Sequence, residues 1–302
     1  MTVLQKAVLP RMTDAYLRGF DRVAGFVVAA ADVAWARTPA DLFVAHGLGF
    51  PGSPVTADAP YVDVLRFEPV ATTRTVAATG GVDQESRGLT GGTFVDRPPF
   101  TGTGFVAAPG HVVPLWWLMH TRVPAGAELW RVHADGREEL LAVYPDVATG
   151  WAGPAVAPVG TPQPRLSRHV GPLAQWHGAT LTASVVGTDV VLAATSAPPA
   201  ELGFEPTAVG RWRRVVPMTE VDALFELVVT ARWNGLEMRV VDEWDEQGTQ
   251  MSHLFYVGHD ADLAEGLRLT KLDAAVYETS APSAQLSELT HAQTMAPGWP
   301  GA

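Results

Sequence analysis

The densest run of chemistry-bearing side chains in this 302-residue chain is Asp242-Glu243-Trp244-Asp245-Glu246. Four carboxylates around one indole are a poor core strand, because burying unpaired acids is too costly. The run therefore predicts a solvent-facing hairpin loop that shows an aromatic anchor inside a negative patch. Such a patch suits a basic protein partner: the Trp anchors and the acids steer. The competing reading folds Trp244 back on its own hairpin and leaves the acids merely solvated. Other signatures are missing. The chain has no G-x-x-x-x-G-K-[ST] phosphate loop, no G-x-S-x-G nucleophile elbow and no H-E-x-x-H zinc helix. The absence of cysteine excludes disulfides, thiolate metal sites and a Cys nucleophile. The nine histidines show no metal-ligand spacing. His253 and His259 come nearest, beside Asp260, but Gly258 interrupts them, so solvated or capping roles are expected and Asp260 reads as a helix N-cap. The expectation is no metal.

Charge narrows the class of partner. The net charge is −11, the wrong sign for a general nucleic-acid binder, which needs a basic footprint against phosphates. Residues 1–160 carry 12 basic and 15 acidic groups, whereas residues 161–302 carry 9 and 17. The acidity thus belongs mainly to the second half. No signal-peptide pattern opens the chain, and the most apolar stretch, Val23 to Ala36, contains Asp32 and is too short to span a bilayer. A cytoplasmic location without membrane contact is expected.

These residues need elements to position them. Thr38 as N-cap, Pro39 at the first helical position, Asp41 in the first turn and Gly47 as a left-handed stop predict a short helix. Tyr61–Phe67 alternates as a strand, and residues 71–110 read as a long loop or irregular strands. Ala127–Val132 and Arg137–Tyr144 flank His133-Ala134-Asp135-Gly136, a strong hairpin signal because Gly supplies positive φ. The Gly/Ala/Pro-rich stretch 151–170 reads as a linker after a domain of residues 1–150.

The rest of the chain aligns with itself. Ala174-Gln175-Trp176-His177-Gly178 matches Ala231-Arg232-Trp233-Asn234-Gly235, and two strands follow each copy. A short helix ending Gly203-Phe204 matches one ending Gly266-Leu267. The segments beginning at Pro217 and Pro282 share P-x-x-[EQ]-[VL]-x-x-L, which predicts a Pro-started helix in each. Tandem modules of ββαβα type, residues 171–229 and 230–302, follow from this, each Trp packing its own core. The expected fold class is α+β, a mixed N-terminal domain followed by two modules with mainly antiparallel sheet.

Two resemblances bear on function. Trp233-Asn234-Gly235, Tyr256-Val257-Gly258-His259-Asp260, Glu265-Gly266-Leu267 and Pro282 make residues 231–291 similar to small actinobacterial immunity-factor-like proteins, and residues 174–227 follow more loosely. Those proteins are associated with secreted NAD-hydrolysing toxins of the tuberculosis necrotising toxin type. This resemblance implies a non-catalytic, cytosolic protein-binding factor that neutralises a toxin, with no cofactor. Separately, Tyr16-Leu17-Arg18-Gly19 resembles the first-strand arginine motif of ADP-ribosyltransferases, and Arg137-Glu138-Glu139 resembles the region of their glutamate. That implies an alternative: an NAD-cleaving or ADP-ribosyl-transfer enzyme in residues 1–150. Arg18 would hold the NAD phosphates and Glu138 or Glu139 would stabilise the sugar cation. The Ser-Thr-Ser segment of that family is missing, and a surface strand is the favoured reading of Glu138 and Glu139.

Overall fold

The chain opens with β1 (Leu4–Val8), α1 (Pro10–Leu17), β2 (Arg22–Ala29), α2 (Pro39–Ala45) and β3 (Tyr61–Phe67) in the computed structural model, which describes residues 3–158, 160–161 and 163–301. It continues through β4 (Thr75–Ala77), β5 (Gly80–Gly81), α3 (Gln84–Thr90), β6 (Phe94–Val95), β7 (Phe105–Ala108) and β8 (His111–Pro114). Then come β9 (Trp116–Arg122), β10 (Ala127–His133), β11 (Glu138–Asp146) and β12 (Gly150–Ala152). Eight of these strands form one sheet, ordered β12-β11-β10-β3-β1-β2-β9-β4. The pairings are antiparallel.

Both faces of this sheet are covered, which is why β1 is buried along its whole length. Strand alternation sends Leu4, Val8, Leu65 and Phe67 to one face, where Tyr16 of α1 packs on them. Ala7, Val62 and Val64 go to the other face, against Leu42 of α2. Helix α2 is built as its residues predict. The Thr38 hydroxyl accepts from the Asp41 amide at 3.3 Å, and the Asp41 carboxylate accepts from the Thr38 amide at 3.0 Å. Gly47 follows with φ +62°. Thr38→Ala should cost about 1 kcal/mol of unfolding free energy, measurable in urea; no change would mean that the cap contributes nothing.

The second half contains β13 (Pro172–Trp176), β14 (Ala179–Val186), β15 (Asp189–Ala194), β16 (Glu205–Pro206) and β17 (Trp212–Pro217). It goes on through β18 (Ala223–Trp233), β19 (Leu236–Glu246), β20 (Thr249–Tyr256), α4 (Ala261–Gly266), β21 (Thr270–Asp273), β22 (Val276–Pro282) and β23 (Ser287–Thr294). All eleven strands belong to one sheet, ordered β16-β17-β15-β14-β13-β18-β19-β20-β22-β21, with β23 also on β18.

This corrects the expected α+β class and the ββαβα modules: the chain is predominantly β. Pro217 and Pro282 do not start helices. Each ends a strand and enters a single 3₁₀ turn, Met218–Glu220 or Ser283–Gln285, after which the chain extends into β18 or β23. Apolar residues three apart fit a turn running into a strand as well as they fit a helix. Pairing with β13 and with β18 decides for the strand.

The two segments trace the same succession of elements, three strands, a helical turn, two strands and a 3₁₀ turn. Their first hairpins turn alike, with φ +48° and +75° at His177-Gly178 and +48° and +81° at Asn234-Gly235. That doubly positive pair is what a two-residue type I′ turn needs. They do not stand apart, however. Ala223–Glu226 of β18 pair with β13, while Val229–Trp233 of the same strand pair with β19. Trp176 is buried in the core of the first segment, whereas Trp233 is half-buried at the edge of the second.

The two sheets join through a mixed core, in which Ala24, Val28, Phe94 and Trp117 meet Val241, Phe255 and Val276. Buried polar contacts cross the same junction. Lys6 Nζ lies 2.6 Å from Asp273, and the Thr72 hydroxyl donates to Glu226 at 2.6 Å. The stretch expected as a linker ends inside this junction, with Ser167 and Val170 buried. No helix among the described residues is long and apolar enough to cross a membrane.

Candidate functional site

The acidic run is strand rather than loop. After its last pair with β18, Val229↔Val240, β19 stays paired with β20 as far as Glu246↔Thr249. Gln247 and Gly248 close the hairpin with φ +54° and +84°. Asp245 accepts from the Gly248 amide at 2.9 Å and holds the turn. The ends of β19 and β20 form a two-stranded ribbon that runs beyond the strands flanking it, since β20 meets β22 only from Met251 onward.

A β-bulge sorts the five residues. The register slips between Val240 and Asp242, so that two residues of β19 oppose one of β20. Val241 and Asp242 lie at this slip and both are buried, like Met238, Arg239 and Val240 before them. The expectation that Asp242 belongs to an exposed patch is therefore corrected. Its carboxylate faces the Arg22 and Arg165 guanidinium groups, each 3.5 Å away. Arg22 also donates to the Val241 carbonyl at 3.3 Å. A carboxylate this deep is tolerated because it has cationic partners.

Glu243, Asp245 and Glu246 are exposed, as the run predicts. Trp244 lies between the two readings made of it. It is half-buried, and Arg165 stacks on its ring at 4.6 Å from the centroid. A cation over an indole face contributes about 0.5–1 kcal/mol at a site open to solvent. His169 Nε2 sits 3.5 Å from the Glu243 carboxylate. Burial holds the His169 imidazole below its ordinary range, against the pull of Glu243 and Asp242. The outcome is a ledge: one indole face covered by an arginine, with the exposed carboxylates of Glu243, Asp245 and Glu246 at its border.

The residues of the enzyme reading are not brought together. Tyr16-Leu17-Arg18-Gly19 is not on a first strand; it is the end of α1, with Arg18 as the C-cap. Helix α1 packs on the face of β3 that carries Asp63, which accepts from the Thr13 hydroxyl at 2.8 Å. Glu138 belongs to the opposite face. Its carboxylate takes both ends of the Arg66 guanidinium, at 2.7 and 2.9 Å, and the same Arg66 donates to Gln5. Residues 63 and 66 of one strand point to opposite faces, so the sheet stands between Arg18 and Glu138. Glu139 is engaged in an exposed pair with His133 at 2.9 Å.

The histidines singled out in the sequence have packing roles. His253 pairs with Glu278 at 2.8 Å, and His259 stacks on Phe94 with centroids 4.0 Å apart. Burial pushes the His259 imidazole down to about 4. Asp260 caps α4, accepting from the amides of Asp262 and Leu263. Sequence reasoning missed Arg22, Glu226 and Arg239, all buried where the sheets meet. A signal existed for Glu226, a single acid inside the apolar run Leu224-Phe225-Glu226-Leu227-Val228-Val229. Compared with protein-family models, with curated proteins and with solved structures, the chain matches none.

Proposed function

We propose that this is a non-catalytic, cytoplasmic factor that binds a basic protein, in the manner of an immunity or antitoxin-like protein. The docking surface is the outer ledge of β19 and β20. The observation that carries this reading is Trp244, which shows part of its ring among the exposed carboxylates of Glu243, Asp245 and Glu246. An indole already stacked under Arg165 has less conformational entropy to lose on binding, and the surrounding acids accelerate encounter with a cationic surface. The acidic balance of the second half and the resemblance of residues 231–291 to immunity factors support the same reading. Asp242 supports the ledge from below and is not part of the contact.

Affinity capture from the native host tests the proposal, with the wild type and Trp244→Ala run side by side. The expected result is a stoichiometric basic partner whose binding weakens by about 2 kcal/mol or more in the variant. The melting temperature should stay nearly unchanged, because only part of the ring is buried. Recovery of no such partner, or equal affinity of the two proteins for it, would refute the assignment.

A further inference from the structure

Where β9, β18 and β19 meet at the junction of the sheets lies a cavity of about 140 Å³, lined by Thr72, Arg74, His120, Glu226 and Arg239 among others. Its charges are unusually placed. Arg239 is 6% exposed, and its terminal nitrogens donate only to backbone, to the carbonyls of His120 and His169. Among the described residues its Nε has no partner, and neither has Nδ1 of the buried His120. Arg74 is exposed at the rim. Among the described residues, neither arginine lies within ion-pair distance of a carboxylate; the nearby Glu226 is engaged by the Thr72 hydroxyl instead.

A buried guanidinium is ordinarily neutralised by direct contact, since an uncompensated interior charge is costly. Here two guanidinium groups line one cavity, and the buried Nε of one of them is left without a partner among the described residues. A planar fork of N–H groups is the side-chain chemistry best matched to a carboxylate or phosphate. Size narrows the choice further, because the cavity is well below the roughly 300–1,000 Å³ of sites for drug-sized ligands. We infer that this cavity is a binding site for a small oxyanion, a phosphate or a carboxylate, held between Arg74 and Arg239. Glu226 limits the affinity by placing negative charge beside the anion. The site shares no residue with the Trp244 ledge, so each can fail without the other.

Calorimetric titration with sodium phosphate and with sodium acetate, at ionic strength held constant with sodium chloride, tests the inference. At least one anion should bind saturably, and Arg74→Ala should weaken that binding about tenfold, the effect of one lost charge-assisted contact. Because Arg74 is exposed and unpaired, this variant keeps the fold. Glu226→Gln should tighten the same binding several-fold, which a merely structural role for Glu226 would not produce. Tighter phosphate binding assigns a phosphoryl group, and tighter acetate binding a carboxylate. Failure of both anions to bind, or affinities indifferent to Arg74→Ala, would overturn the site.

Discussion

Replacing Asp242 by alanine is expected to lower the unfolding free energy by about 3–5 kcal/mol, the usual cost of removing one partner from a buried ion pair. The magnitude follows from where the partner sits. The side chains of Arg22 and Asp242 are 7% and 11% exposed, so the stranded guanidinium could not recover its hydration. Among the described residues Arg22 Nε already has no hydrogen-bond partner, and without Asp242 only the Val241 carbonyl would remain. Arg165 adds little compensation, because its side chain is 57% exposed and screened by solvent. Replacing both members at once, Arg22→Met with Asp242→Leu, should restore much of the loss, since apolar groups of similar volume need no counter-charge. Urea denaturation of the three variants measures this directly. A loss below about 1 kcal/mol for Asp242→Ala would show that the pair is hydrated and not part of the interior.

Acidification from pH 7 to 5 is expected to remove a large part of the stability through three histidines held neutral. Gln5 fixes the first. Its carbonyl oxygen accepts from Arg66 Nε at 2.9 Å, so its amide nitrogen must face His46 Nε2, 3.0 Å away. That nitrogen of His46 must then be an acceptor, which a protonated imidazole cannot supply. Burial and the nearby Lys6 push His46 down to about 3. Burial likewise lowers His259 to about 4 and His120 well below its ordinary range, with Arg239 and Arg22 adding to the effect on His120. For groups lowered on folding, the unfolded chain binds protons first. Their stabilisation is whole above about pH 6.5 and is lost as pH falls toward the folded values, at about 1.4 kcal/mol per unit for each group.

At pH 5 that amounts to about 2 kcal/mol per histidine. Asp96 works in the opposite direction. Burial raises its carboxyl to about 6, so protonation on the way to pH 5 returns about 1 kcal/mol. Burial moves Glu226 the same way. Burial lowers His169 too and adds to the loss, so the net loss expected is at least about 4 kcal/mol, a large share of the 5–15 kcal/mol typical of a folded domain. Guanidinium melts at pH 7 and pH 5 decide it. Equal or greater stability at pH 5 would show that these imidazoles are not held neutral.

What the amino-acid sequence determined by itself is local. Thr38, Pro39, Asp41 and Gly47 contain every group that caps α2, within ten residues. The alternation of Tyr61–Phe67 and the Asp135-Gly136 turn were legible for the same reason, since their φ preferences lie in the residues concerned. The exposure of the ribbon end was readable too, because Glu243, Asp245 and Glu246 crowd three carboxylates into four positions, which favours contact with water.

The tertiary structure decided what depends on partners far along the chain. The stretches after Pro217 and Pro282 are strands because β13 and β18 offer them backbone partners, a condition absent from any short window. Asp242 is inside because Arg22, 220 positions earlier, meets it beside a one-residue bulge, and an exposed acid and a paired one are written with the same letter. Arg18 and Glu138 look compatible along the sequence, yet alternation on β1 and β3 sends the helix of one and the partner of the other to opposite faces. Propensity acts over a few residues, whereas pairing register and the neutralisation of a buried charge are properties of surfaces that exist only after distant segments have met.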